Sequence, residues 1–323
     1  MVKAIALLSG GLDSMLAVKL VYKQDIDVVC LTFTTPFFNA SKAQSATKQL
    51  NLPLVVEDIT AEHLQMLKAP RYGYGKNMNP CIDCHILMLK TAGKKMESIG
   101  ADFILTGEVL GQRPMSQTKQ SLYIVAKNSG YADYILRPLS AQLLPPIKAE
   151  REGKINRSFL LDLAGRGRKE QMRLAAEFGI SHYPPPAGGC LLTDPMFSRR
   201  LRDLFAHQED RHIRDYELLK YGRHLRTAEG YKIIVGRNNA DNEQLRKLTT
   251  DTDLVCNMAD FPGPYVLVPY RNKSALPIAA AICVRYSDAP AGMEANVICS
   301  CDNKIKTVSS KATGKENCVS WII

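Results

Sequence analysis

No uninterrupted apolar run in this 323-residue chain approaches the ~20 residues that a membrane-spanning helix needs, so no membrane partner is expected. No secretion signal opens it either. Met1 to Leu8 has one lysine and a short apolar stretch, and it runs directly into Ser9-Gly10-Gly11, as a strand would. Internal repeats and long low-complexity tracts are missing. The chain also lacks the apolar poverty of a disordered protein: hydrophobic residues make up 46% and charged residues 23%. At this length two domains are expected, or three. The nine cysteines are odd in number, which fits reduced thiols in a cytoplasmic protein better than a disulfide framework. What is present in excess is positive charge, 42 Lys and Arg against 32 Asp and Glu, a net of +10. Such a balance favours polyanionic partners. The stretch 137–173 supplies half of it, with nine basic and four acidic residues.

The N-terminal half alternates short β-branched runs with helix-like stretches. Strands are expected at 2–8, 27–33, 54–57 and 102–106, and helices at 12–22, 41–50, 60–67 and 84–99. A short last strand is placed at 134–136 and a late helix at 168–178. The alternation implies an α/β fold, a doubly wound parallel sheet covered on both faces. A polar helical stretch at 198–220 reads as a connector. Beyond it, strands at 231–236, 265–269, 278–286 and 296–301 suggest a smaller, β-rich α+β domain. The expected organisation is therefore 1–197, connector 198–220, and 221–323.

Ser9-Gly10-Gly11-Leu12-Asp13-Ser14 follows the first strand and opens the first helix. Two glycines let the backbone turn sharply and bring N–H groups close to an anion, where the helix N-terminus adds partial positive charge. The hydroxyls of Ser9 and Ser14 can donate to phosphate oxygens. Asp13 implies either Mg²⁺ or a helix cap. No Gly-Lys-Ser or Gly-Lys-Thr occurs, so this is not a Walker A loop. The hexapeptide resembles the pyrophosphate loop (PP-loop) of the N-type ATP pyrophosphatases. That resemblance implies an adenine nucleotide alpha hydrolase-like fold, ATP as cofactor, and cleavage of ATP to AMP and pyrophosphate as a carbonyl oxygen is adenylated.

Asn79-Pro80-Cys81-Ile82-Asp83-Cys84-His85 is the second motif. Thiols at a helix start have their pKa lowered, and two at this spacing can share a metal centre, form a disulfide or carry a persulfide. Cys190, in Ala187-Gly188-Gly189-Cys190, is the natural third ligand. The stretch resembles the tRNA 2-thiouridylases, which read Asn-Pro-x-x-x-Cys-Asn. Thr106-Gly107-Glu108 resembles their Thr-Gly-His. By that resemblance Cys84 and Cys190 are the two catalytic cysteines and Thr106 and Gly107 belong to the nucleotide site. His85 departs from the family's Asn, Glu108 from its His, and Cys81 stands where some members have an acid–base Asp. A third thiol in that place resembles the iron–sulfur-dependent branch, in which three cysteines hold a [4Fe-4S] cluster. Metal ligation by Cys81, Cys84 and Cys190, a persulfide route through Cys84 and Cys190, and a structural role all remain open. Asp83 is either an acid–base group or a helix N-terminal carboxylate.

Among the basic residues of 137–173, the run Gly165-Arg166-Gly167-Arg168-Lys169 is expected to contact RNA phosphates through Arg166, Arg168 and Lys169. In the tail, Gly222-Arg223-His224 and Gly236-Arg237-Asn238-Asn239-x-x-Asn242 resemble the RNA-associated domain of ribosome quality-control proteins, the NFACT-R family. This resemblance offers Arg223 and Arg237 as RNA contacts. The same residues can instead build a turn and a helix cap.

The expected function is ATP-dependent tRNA sulfurtransfer, making thiouridine with sulfur from sulfide or a persulfide carrier. The alternatives are an AMP-forming amide ligase of the same nucleotide fold and an RNA-binding quality-control factor with a vestigial nucleotide site.

Overall fold

The computed structural model describes residues 1–185, 189–270 and 272–323. They form two units, Met1–Thr193 and Asp194–Ile323.

The first unit is built from β1 (Lys3–Leu7), α1 (Leu12–Tyr22), β2 (Asp27–Thr34), α2 (Ser41–Leu50), β3 (Leu54–Asp58), α3 (Thr60–Lys68), α4 (Cys81–Ser98), β4 (Phe103–Thr106), α5 (Lys119–Ser129), β5 (Ile135–Leu136), α6 (Lys148–Arg151) and α7 (Lys169–Glu177). The five strands pair in the order β3-β2-β1-β4-β5. Every pairing is parallel. Alternate residues of β1 feed two cores. Ala4 and Ala6 pack with Leu16 of α1 and Leu174 of α7, and Ile5 packs with Leu89 of α4 and Val125 of α5. Both faces are covered, so the strands are apolar almost throughout. The sheet is doubly wound, as the alternation implied. Strand order reverses between β1 and β4, and in such sheets ligands bind beyond the carboxyl ends of the strands at that point. The hexapeptide follows β1 there, and Thr106 closes β4.

The second unit contains α8 (Pro195–His207), α9 (Ile213–Leu218), β6 (Arg223–Arg226), β7 (Lys232–Val235), α10 (Asn239–Leu248), β8 (Leu254–Met258), β9 (Val266–Val268), α11 (Leu276–Arg285), β10 (Glu294–Cys301), β11 (Lys304–Lys311) and α12 (Lys315–Trp321). Its sheet has the order β11-β10-β8-β9-β7-β6. All of its pairings are antiparallel.

The strand expected at 278–286 is the helix α11, with Pro277 in its first turn and a fully buried inner face. Its Ala279-Ala280-Ala281 run is strongly helix-forming, and a short apolar run cannot be assigned by period alone. The stretch expected as a connector, 198–220, packs into the second unit. Asp194 caps α8 by accepting from the Phe197 N–H at 2.7 Å. Arg200 donates to the carbonyls of Leu219 and Gly222, and Tyr216 is buried.

Candidate nucleotide and thiol site

The hexapeptide is shaped by glycine at two contacts. Gly10 has φ of +75°, and a Cβ on it would collide with the Lys42 carbonyl at the start of α2. A Cβ on Gly107 would lie 2.5 Å from both Cα and N of Ser14. Thr106-Gly107 is therefore pressed against the first turn of α1, which brings the two halves of the expected nucleotide site together. Ser9 and Ser14 hydroxyls stand 3.3 Å apart, and Ser14 donates to the Gly11 carbonyl at 2.8 Å. No side chain caps α1 at Gly11. Its first-turn N–H groups are thus arranged for an anion.

Asp13 does not cap this helix. Its Oδ2 accepts from Gln112 Nε2 at 3.1 Å, and its Oδ1 is buried with no partner among the described residues. Burial raises the Asp13 pKa, while Gln112, Arg168 and Arg113 pull it down. A buried, unpaired carboxylate oxygen beside a phosphate loop fits a Mg²⁺ ligand. Arg168, expected on an RNA surface, is close enough to act on Asp13. A β-bridge between Leu110 and Ala164 and a 2.7 Å bond from the Gly165 N–H to the Leu110 carbonyl hold its loop there.

Helix α4 begins at Cys81, three residues earlier than expected, so Cys81 and Cys84 share its first turn. The three thiols are half-buried. Cys84 is raised well above the ordinary thiol value by burial, then by Cys190, Cys81 and Asp83. Cys190 is pushed up to about 11, by burial and by Cys81 against a backbone bond from Leu192. The three sulfurs are thus within electrostatic reach of one another, and burial overrides the helix terminus. Three soft sulfur donors within electrostatic reach of one another are a donor set whose chemistry fits an iron–sulfur cluster. Among the described residues, no three His, Cys, Asp or Glu side chains are already drawn together as a ligand set. The Cys190 segment is tied on two sides: the Leu191 N–H donates to the Phe37 carbonyl at 3.0 Å, and Asn77 Nδ2 to the Thr193 carbonyl at 2.7 Å. Residues 186–188 of the motif lie outside the described residues.

Asp83 accepts from the Arg71 and Tyr72 N–H groups at 3.1 and 3.0 Å and is buried. Both its oxygens hold the loop before α4, which is a structural duty. The two departures from the thiouridylase pattern prove to be one unit. His85 Nδ1 lies 3.0 Å from Glu108 Oε1, and Arg137 Nε donates to Glu108 Oε2 at 2.9 Å. Burial raises the Glu108 pKa, but Arg137 and His85 outweigh it and hold it at about 2. The paired departures from the family pattern at positions 85 and 108 were the signal in the sequence. Lys42, Gln112 and Arg113 carried no signal, since only the fold brings them to this loop.

The basic stretch is mostly committed internally. Arg137 pairs with Glu108, Arg151 with Asp133, Lys154 with Asp102, Arg157 with Glu150, and Arg173 with Glu170 and Glu177. Lys148 lies 3.7 Å from Glu152. Arg166, Arg168 and Lys169 form no ion pair among the described residues. In the tail, the Arg223 guanidinium stands 5.1 Å from the Tyr286 ring centre. Arg237 is bound to Asp241 at 2.6 Å. Asn238 caps α10, accepting from the Asp241 N–H. Asn242 accepts from the Tyr265 N–H at 3.0 Å, in the space a Cβ on Gly236 would need. The Gly-Arg-Asn motif therefore locks β7 to α10, which is the turn-and-cap reading of those residues.

Residues 1–142 match the family model of the thiamine biosynthesis protein ThiI, and residues 222–322 match that of the NFACT protein RNA binding domain. A probable tRNA sulfurtransferase of Thermococcus kodakarensis is 32% identical over 146 residues, covering 42% of this chain and 36% of that protein. A tRNA-specific 2-thiouridylase MnmA of Methylobacterium nodulans is 24% identical over 292 residues, 84% of this chain and 72% of that one. Among solved structures, a 4-thiouridine synthetase–RNA complex with bound ATP is similar at 22% identity and a TM-score of 0.37, over 55% of this chain and 51% of that chain. The matched region spans about a third of the length of the tRNA sulfurtransferases. The N-terminal part of the chain is thus similar to the ThiI family and its C-terminal part to the NFACT protein RNA binding domain.

Proposed function

We propose that this chain is an ATP-dependent tRNA sulfurtransferase that converts a uridine carbonyl to a thiocarbonyl. The observation that carries the reading is the closure of Gly107 onto Ser14, in the same unit as Cys84 and Cys190, two thiols raised by burial and by their thiol neighbours. Gly10, Gly11 and the start of α1 would bind the phosphates of ATP, with Mg²⁺ on Asp13 Oδ1. The uridine carbonyl oxygen attacks the α-phosphorus, and pyrophosphate leaves. A sulfur nucleophile then attacks the activated carbon, and AMP leaves with the former carbonyl oxygen. Arg168 and Arg113, near Asp13, would balance the phosphate charge during the first step. Arg166, Lys169 and the tail domain would hold tRNA phosphates.

The perturbed thiols bear on the choice between cluster and persulfide. A thiol with a pKa of about 11 is ionised in only about one molecule in 10⁴ at neutral pH, and is a poor nucleophile by itself. Cys81, Cys84 and Cys190 would hold a [4Fe-4S] cluster, which when bound supplies soft iron to a sulfur nucleophile. The sulfur comes from sulfide or a persulfide carrier. On this reading Cys81 is a ligand, and Asp83 takes no part in proton transfer.

The test is pyrophosphate release and nucleoside mass spectrometry with anaerobically purified protein. Release that requires tRNA, a thiolated nucleoside in the product and about four irons per chain are expected. Cys81→Ser should lose iron and thiolation together. Release without tRNA overturns the reading in favour of a ligase, and no release in favour of an RNA-binding factor. Full activity in Cys81→Ser returns the chemistry to a persulfide on Cys84 and Cys190.

A further inference from the structure

We propose that Lys42, with the cavity beside it, binds a phosphodiester of the RNA next to the reacting base; this rests on the tRNA reading above. The cavity, about 360 Å³, is lined by Gly10, Lys42, Ser45, Gln49, His182 and Tyr183 among others, and no carboxylate lines it. Cavities of this size take a small ligand such as a nucleotide. Its walls are fixed. The start of α2 is pressed against Gly10, where a Cβ would strike the Lys42 backbone. Across the cavity, Gln49 grips the His182 backbone with both ends of its amide: Nε2 donates to the carbonyl at 2.7 Å, and Oε1 accepts from the N–H at 3.2 Å.

Lys42 supplies the charge. It forms no ion pair among the described residues, and the first turn of α2 carries no acidic residue. Its ammonium stands 3.3 Å from where a Cβ on Gly189 would be, directly before Cys190. The cation therefore sits between the phosphate loop and the backbone that carries the third thiol. The lining includes Gly10 but none of Ser9, Gly11, Asp13 and Ser14. It shares only Gly10 with the nucleotide loop and extends away from it along α2, so an RNA phosphate suits it better than a phosphate of ATP. A uridine activated at the loop and attacked from the thiol side must lie between the two, and its own backbone phosphate then falls within reach of Lys42. Ser45 adds a hydroxyl donor to the same wall.

The experiment measures tRNA binding to the full chain across a salt series, and ATP binding without RNA. Lys42→Ala should weaken tRNA binding several-fold and make the plot of log affinity against log salt shallower by about one contact. Lys42→Arg should restore both, and both variants should bind ATP like the wild type, which also shows that they are folded. An unchanged affinity and salt slope in Lys42→Ala overturns the proposal. Loss of ATP affinity without RNA also overturns it and assigns the lysine to the nucleotide. If the wild type binds ATP and no tRNA, the substrate reading falls and takes this inference with it.

Discussion

Gly107 and Ser14 are separated by 93 positions in sequence, yet a single methyl group on Gly107 would come within 2.5 Å of the Ser14 backbone. The neighbour is backbone at the start of α1 and cannot swing aside. Gly107→Ala is therefore expected to push the first turn of α1 out of place. ATP affinity should fall roughly ten-fold or more, equivalent to about 1.4 kcal/mol. Calorimetric titration with ATP checks this, and wild-type affinity in the variant would refute the closure.

The pair His85–Glu108, backed by Arg137, sits at the edge of the thiol site. Glu108 is held at about 2, below its ordinary 4.5. A depressed carboxylate contributes stability that is present above its unfolded value and lost as pH falls through the folded one. The window is about pH 4.5 to 2, and the contribution is about 3 kcal/mol. Glu108→Gln leaves Arg137 buried without a counter-charge and should cost a similar amount at pH 7. Urea unfolding of both proteins at pH 7 and 2.5 measures it. Equal midpoints at pH 7 would show the pair to be inert.

His63 is completely buried between Phe37 and Phe38, with ring centroids 5.4 and 5.6 Å away, and neither ring nitrogen has a partner among the described residues. Burial lowers its pKa to about 4. The folded state then stays neutral while the unfolded state takes up a proton near 6.5. Stability falls as pH drops from 6.5 to 4, by up to about 3 kcal/mol, and this term is flat below. His63→Leu should remove that slope. Unfolding midpoints between pH 7 and 4 test it, and an unchanged slope in the variant would place the acid sensitivity elsewhere.

Among the described residues Arg166 and Lys169 carry no ion pair, whereas Arg151 is held by Asp133 at 2.6 Å. Replacing Arg166 or Lys169 by Ala should lower the salt dependence of tRNA binding by about one contact each. Arg151→Ala should leave it nearly unchanged. The reverse pattern would mean that ion pairs in this stretch open on binding.

The strands β1 to β4 and helices α1 and α2 were legible because each is a compact apolar or periodic run bounded by Gly, Pro, Asn or Asp. Helix α5 was not read, since Lys119–Ser129 mixes polar and apolar residues without a strong signal. Helix α11 was read as a strand because its apolar run is too short for its period to decide. Among the candidate site residues, the Ser9–Ser14 hexapeptide and the cysteine pair stand out in the sequence as local motifs of closely spaced residues. Arg168 was legible only as a positive charge, and its place beside Asp13 was not.

The sequence by itself determined the doubly wound class of the first unit and the glycine turn after its first strand, and it offered three thiols as candidates. Local patterning and spacing are enough for those. Only the tertiary structure decided which charges are already paired, that Asp83 is a loop clamp, that His85 and Glu108 form one unit, and that burial raises Cys84 despite its helix terminus. Each of these depends on contacts between residues far apart in the chain and on the exclusion of water around them, and neither is written in any local stretch.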